Sequence, residues 1–467
     1  MRKKINKILE NVEISGISAE GRGIARIEGK VYFVEKTIPG DWVDVSVRRN
    51  KSSYAEGSPV RFHRHSPDRS TPPCSHFGTC GGCKWQFVDY PKQLEYKDKQ
   101  VRDALEKIGK ICPAATYPII GSDHIFHYRN KMEYSFTDRK WLTDDEVASG
   151  GTFDRRGLGL HVPENFLGVL DIEKCWLQDP IGDRIRLFVR QKAMEQGYSF
   201  FNLKTQEGFL RNLMIRTAAS GEILILISFS RPDEEAIHWL LREVATAFPQ
   251  INALQYVINP KRNDTIYDLE VKTFYGSEYI TEQLGPYRFG IRAKSFFQTN
   301  TRQGEKLYAL TKEYAALQPN ERLFDLYTGV GSIAIYMARS CKEVVGIEQI
   351  DDAIRDAREN ARLNGIENCA FETGDVRATL QADFLSRHGQ PDVIITDPPR
   401  AGMHEDVVDA MLQLSPKRIV YVSCNPATQA RDLSRMISDY AVEKSQAVDM
   451  FPHTPHVENV VQLIRRN

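Results

Sequence analysis

From about residue 320 onward the hydrophobic pattern alternates between two periods. Short apolar, β-branched runs (RLFDLY, EVVGIEQ, CAFETGD, DVIITDPP and RIVYVSC) are separated by segments with helical spacing, such as SIAIYMARS and DDAIRDARENARLNG. Apolar runs joined by helices predict a doubly wound parallel sheet. In such sheets the ligand sits outside the carboxyl ends of the strands. Asp325, Glu348, Asp375, Asp397 and Cys424 all fall at or near those ends, so one edge collects polar and reactive side chains from five strands.

Upstream the pattern differs. Residues from about 10 to 62 read as short strands split by Gly, Pro-Gly and Asp, which predicts a small β-barrel. RHSPDRSTPPCS is a linker, and Tyr90–Gly109 has helical spacing with charge pairing. From about 120 to 290 the chain reads as mixed α+β, with strands such as EILILISFS and ALQYVINP. The expected units are residues 1–65, 66–292 and 293–467, in a multidomain α/β chain too long for one core. No run approaches the ~20 apolar residues of a membrane span. The basic start MRKKINKILENVEI lacks an apolar signal segment. The expected compartment is therefore cytoplasmic, with no membrane partner.

The chemistry begins at DLYTGVGS, Asp325–Ser332, a strand, a Gly-x-Gly turn and a helix start. Gly329 and Gly331 permit positive φ and close backbone approach, and helix N–H groups lie behind them. Glu348 ends the next strand 19 residues after Gly329, where a carboxylate can accept from ribose hydroxyls. Asp375, after the third strand, can meet a base or ribose edge. The turn alone leaves a dinucleotide-dependent dehydrogenase open, with Ala334 in the third glycine position. TDPPR, Thr396–Arg400, discriminates: two prolines fix φ and hold Asp397 at its strand end. Acid-Pro-Pro after the fourth strand resembles the motif of methyltransferases acting on nucleic-acid bases, and dehydrogenase chemistry has no use for it. An amino-methyltransferase would use the same motif, but needs no cysteine nucleophile such as Cys424.

Eight cysteines in a cytoplasmic chain point to metal, catalysis or buried thiols before disulfides. Cys74, Cys80 and Cys83 cluster in CSHFGTCGGCKW, and Cys175 stands far downstream. Four thiolates can hold zinc or a cubane cluster. The Cys-Gly-Gly-Cys pair also resembles a redox motif, without a thioredoxin-like context. Cys112, Cys341 and Cys369 have no partner pattern. Net charge is +0, but residues 1–64 carry 13 Lys/Arg against 8 Asp/Glu, a bias that fits backbone contact with nucleic acid.

In this order, SFFQTN (Ser295–Asn300), DLYTGVGS, GIEQ (Gly346–Gln349), TDPPR, VSCNP and HVENVVQL (His456–Leu463) resemble the RNA uracil-5-methyltransferases that use S-adenosylmethionine. GIARIEGKVYFVEKTIPGDWV resembles a TRAM domain, and YRNKMEYSF with the cysteine set resembles the middle domain of the branch typified by iron–sulfur 23S rRNA uracil methyltransferases. The resemblance implies a Rossmann-like class I methyltransferase domain, an α+β central domain and an OB-like TRAM barrel, with residues 87–118 packed on the catalytic domain. It implies that Gln298, Tyr327, Gly329, Glu348, Asp375 and Asp397 line the methyl donor's site. Phe296 would stack on the uracil, Cys424 would be the nucleophile and Glu458 the base. Cys74, Cys80, Cys83 and Cys175 would hold a [4Fe–4S] cluster. The implied partner is a loop of RNA, rRNA first, with no obligate protein partner. A tRNA T-loop uridine methyltransferase is the alternative within the class, although bacterial tRNA enzymes generally lack both the TRAM domain and the four cysteines. An rRNA-binding ribosome assembly factor, with methylation secondary, is the alternative outside it.

Uracil C5 is a poor nucleophile. A thiolate adding to C6 activates C5, and a base must later remove the C5 proton so that the thiolate can leave. An ordinary ionised glutamate suffices as that base. What favours the Cys424 thiolate is not legible in the sequence.

Overall fold

The structure, a computed structural model, describes residues 7–466. Part of the basic start, residues 1–6, lies outside them. Six strands between Lys7 and Arg64 form one sheet, in the order Lys7–Glu13, Trp42–Asn50, Tyr54–Arg64, Lys30–Val34, Gly23–Ile27, Gly16–Ile17. Alternation puts Val43, Val45 and Val47 inward on Trp42–Asn50, and the first two join Val12, Ile14, Ala25 and Val34 in a small core. Buried Asp41 ties this module to the linker. It accepts from the Arg69 guanidinium at 2.8 and 2.7 Å and from the Ser66 amide at 2.9 Å.

A central seven-stranded sheet runs in the order Asn165–Leu170, Gly157–Val162, Lys131–Thr137, Leu210–Thr217, Ile223–Phe229, Ala253–Ile258, Val271–Gly276. Ile223–Phe229 is buried along its whole length, which explains its unbroken apolar sequence. Helices Pro180–Glu195 and Glu234–Ala247 supply apolar faces to the same core.

The C-terminal sheet has eight strands: Cys369–Thr373, Glu343–Glu348, Arg322–Leu326, Val393–Thr396, Arg418–Ser423, Glu458–Arg465, Tyr440–Val448 and Ala115–Ile120. The first five pair in parallel, the doubly wound arrangement expected from the alternating pattern. Glu458–Arg465 inserts antiparallel, so its first residue sits at the edge where its parallel neighbours end. The eighth strand, Ala115–Ile120, comes from far upstream and pairs in parallel with Tyr440–Val448. It follows helix Tyr90–Lys107, which packs on helix Pro426–Ser434 through Val101, Ala104 and Leu105. Among the described residues no helix is long and apolar enough to cross a membrane.

Candidate active site

Register brings the predicted side chains to one edge. Leu326 lies beside Ile347 and Thr396, Thr396 beside Tyr421, and Ser423 opposite Asn459. Tyr327, Glu348, Asp397, Cys424 and Glu458 are the residues at these ends. The turn after Arg322–Leu326 takes left-handed backbone at Tyr327 (φ 66), Gly329 (φ 56) and Gly331 (φ 79). The two glycines serve different ends. A Cβ on Gly331 would meet Ala357 at 3.0 Å and Phe371 at 3.1 Å, whereas a Cβ on Gly329 would point into open space. That open side is a cradle for a ligand approaching the backbone. The Gly329 amide donates to Glu348 at 3.3 Å, which holds the carboxylate against the turn. Behind it Asp325 is fully buried and accepts from Thr328 at 2.5 Å and Ala334 at 3.0 Å, while its second oxygen has no partner.

Gln298 is buried beside Tyr308, whose hydroxyl lies 2.9 Å from Ser332 Oγ at the helix start after the turn. Asp375 and Tyr327 line a pocket of about 200 Å³ with Gln349, Val376, Arg377, His404 and Val407. The Asp375 carboxylate already accepts from the Arg377 and Ala378 amides, capping its own short helix. Phe296 is not in this pocket. It is 69% exposed and lines a larger cleft of about 620 Å³, whose walls include all four clustered cysteines, Trp176, Lys84, Arg129, Lys131, Lys174, Arg216 and His456.

Cys424 ends its strand half-buried, and Asn425 fixes the turn after it. The Asn425 side chain accepts from the Ala427 amide at 3.1 Å and donates to the Arg400 carbonyl at 3.1 Å, with Pro426 opening the helix. Gln429 cross-braces the two key strands: its amide donates to the carbonyls of Tyr421 (2.9 Å) and Asn459 (3.1 Å). Burial, then the carboxylates of Glu458 and Asp397, push the Cys424 thiol up to about 12, and the Arg400 guanidinium pulls the other way. Burial likewise raises Asp397 to about 7. Glu458 departs from the ordinary ionised carboxylate expected of it. It is buried next to Asp397, and both causes hold its proton on well above the usual range. Nothing in the residues around Glu458 signals this burial.

The four clustered cysteines are free thiols. Among the described residues no group of three or more His, Cys, Asp or Glu is placed to hold a metal ion, which departs from the expected ligand set. Their surroundings nonetheless suit metal-bound sulfur. Cys74 receives the His76 and Phe77 amides, Cys80 the Gly82 amide at 3.4 Å, Cys175 the Leu177 and Gln178 amides, and Cys83 the Gln86 side chain. Burial pushes the unligated thiols of Cys80 and Cys83 up to about 11 and about 12.

Residues that sequence reasoning did not single out are Arg400 and Gln429 beside Cys424, and the buried ion pair of Lys97 with Asp449, ahead of the strand that Glu458 opens. Lys97 left a trace: Gln93 and Lys97 continue, at helical spacing, the buried stripe Val101, Ala104, Leu105.

Residues 267–466 match the tRNA (Uracil-5-)-methyltransferase family, and residues 6–60 match the TRAM domain. A Bacteroides thetaiotaomicron protein named as an uncharacterized RNA methyltransferase is 50% identical over 451 residues, 96% of this chain and 99% of its own. A Porphyromonas gingivalis protein of the same description is 49% identical over 462 residues, covering 97% and 99%. In fold the chain is similar to the crystal structure of Pyrococcus abyssi tRNA (uracil-54, C5)-methyltransferase in complex with S-adenosyl-L-homocysteine, with TM-score 0.74, 28% identity, and 98% and 100% of the two chains covered. Agreement over the full length, and not in the catalytic half alone, means that the chain belongs to the RNA uracil-5-methyltransferase family, among members that carry a TRAM domain.

Proposed function

We propose that the protein methylates C5 of a specific uridine in RNA, with 23S rRNA as the target and S-adenosylmethionine as the donor. The observation that carries the reading is the register Ser423 opposite Asn459, which sets a thiol and a carboxyl side by side at the strand edge that also bears the Gly329 cradle. Gln298, Tyr327, Gly329, Glu348 and Asp397 are the residues to hold the donor, with Asp375 in the neighbouring pocket. When bound, S-adenosylmethionine supplies an electrophilic methyl group, which C5 takes up, and a positive charge.

Cys424, its proton released to solvent, adds to C6 as the thiolate, and the C5=C6 electron pair moves toward C4 as an enolate, which makes C5 nucleophilic. After C5 is methylated, Glu458 takes the C5 proton. The electrons of that bond restore C5=C6 as the sulfur–C6 bond breaks. Glu458 must first lose its own proton, and a cation at this acidic edge favours that loss. Once ionised, a carboxylate with so high a proton affinity is a stronger base than an exposed one. Phe296, exposed in the cleft, stacks on the splayed uracil, while the cationic walls and the TRAM module hold backbone phosphates.

Cys74, Cys80, Cys83 and Cys175 are proposed to hold a [4Fe–4S] cluster, supported by their shared cleft and the amides aimed at their sulfurs. Bound there, the group would crosslink segment 74–83 to distant Cys175. Methyl transfer is redox-neutral and asks no electron of it. A tRNA target is the second reading, favoured by the likeness in fold to a tRNA enzyme. Mapping 5-methyluridine in rRNA and tRNA from cells with and without the gene decides between them. Absence of any change in either RNA overturns the reading.

A further inference from the structure

Glu458 opens its strand directly after the loop 449–457, and most of what fixes this loop lies outside residues 293–467. Lys97, midway along helix Tyr90–Lys107, donates to Asp449 Oδ1 at 2.5 Å and to the Phe451 carbonyl at 3.0 Å. Both side chains of this ion pair are fully buried. The Tyr90 hydroxyl donates to the other Asp449 oxygen at 2.8 Å. The Gln93 side-chain oxygen accepts from the His453 amide at 2.8 Å. The His453 carbonyl accepts two further amides, from Lys84 at 2.9 Å and Trp85 at 3.0 Å, and these residues directly follow Cys83. His453 itself is held in left-handed backbone (φ 66), a costly state for a non-glycine residue unless its surroundings over-determine it.

A buried ion pair contributes little net stability compared with a packed apolar pair. A cation with two acceptors on one loop does fix that loop's path. We propose that helix Tyr90–Lys107 and the segment after Cys83 form a clamp that sets Glu458 against the C5 proton, with Lys97 as a positioning residue. The inference rests on the roles of Cys424 and Glu458 proposed above. Cys424 and Glu458 share the register of their paired strands, but Cys424 is followed by the Asn425 turn, and only Glu458 directly follows the clamped loop. The contact of the same helix with Pro426–Ser434 is made by Val101, Ala104 and Leu105, one to two turns away from Lys97. Loss of the clamp should therefore slow proton removal and leave thiol addition intact.

The test uses full-length protein and 23S rRNA and tRNA transcripts, one set with uridine and one with 5-fluorouridine. Fluorine at C5 cannot leave as a proton, so trapping reads addition and methylation alone. Lys97→Met should trap 5-fluorouridine RNA at a rate within about twofold of the wild type. Its turnover on uridine RNA should fall at least tenfold, with a covalent protein–RNA band on denaturing gels. The double variant Lys97→Met/Asp449→Asn leaves no lone buried charge and guards against simple misfolding; it should show the same split. Trapping and turnover that fall together, or unchanged turnover in the double variant, would overturn the clamp. If the wild type traps no fluorinated RNA at all, the proposed function fails instead.

Discussion

Cys424 and the four cysteines lining the cleft sit in neighbourhoods that differ in sign. Burial raises the thiol of Cys424 and the thiols of Cys80 and Cys83 alike. Around Cys424 the next strongest influences are the carboxylates Glu458 and Asp397. Around the four clustered cysteines they are N–H donors, mostly main-chain amides two or three residues on. Amide donors stabilise a permanent sulfur anion, the state of a metal ligand. Carboxylates keep a sulfur protonated until something cationic arrives, which suits a nucleophile that must stay quiet in the free enzyme. Burial alone would not tell these cysteines apart; the charge of the second neighbour does.

The largest effect that tests this contrast is Cys424→Ala. It should abolish methyl transfer, at least ~10³-fold, and all trapping of 5-fluorouridine RNA, as measured by methyl incorporation and denaturing gels. Cys83→Ser should do the reverse: it removes broad absorption near ~400 nm and about four irons per chain from anaerobically purified protein, while Cys424 still traps. Zinc without iron in the wild type would sink the cluster assignment. Next in size, Glu458→Gln should slow product release ~10²-fold and leave a uridine adduct visible on gels. Normal turnover with no adduct would remove Glu458 from the mechanism.

Two pH experiments sharpen the contrast further. With a thiol held near about 12, alkylation of Cys424 by iodoacetamide should climb about tenfold per pH unit from ~7 to ~9 without a plateau, read by peptide mass spectrometry. A plateau near pH ~8 would mean an ordinary thiol. Saturating S-adenosylmethionine should raise that rate relative to uncharged S-adenosylhomocysteine of nearly the same shape. The smallest effect concerns stability. Burial lifts Asp325 and Asp397 to about 7, above their unfolded range near ~3.9. The folded state then binds more protons than the unfolded state between these values, so stability present at low pH is lost as pH rises through about 7. Donor-free protein should melt a few degrees lower at pH ~8 than at pH ~6, and Asp397→Asn should shrink the difference, with Asp325 carrying the remainder.

Much of the C-terminal half was legible because regular alternation and strand-end acids carry strong local signals. The parallel strands, the glycine turn and the position of Cys424 all follow from patterns within about ten residues. What was not legible depends on distant segments. Nothing local marks Glu458 as buried, since the residues that enclose it come from other strands. Lys97 reads as one more charge on a charged helix until Asp449 is folded onto it. Ala115–Ile120 contains Pro118, which weakens a strand signal and is tolerated because this strand sits at the sheet edge. Asp375 was expected as a ligand, and its side chain also caps a helix, a local use that the sequence could have suggested.

That edge strand has a consequence for how the protein is made. Ala115–Ile120 leaves the ribosome long before Arg322–Leu326, the first strand of the sheet it completes, and it must wait for Tyr440–Val448, near the end of the chain. The catalytic sheet therefore closes late, through a contact of very long sequence separation, which slows folding even where it costs little at equilibrium. Until then Tyr440–Val448 presents a bare edge, and a fragment starting at residue 293 would present it permanently. The intact chain carries in its early segment the cap that keeps its last strands from pairing with a stranger.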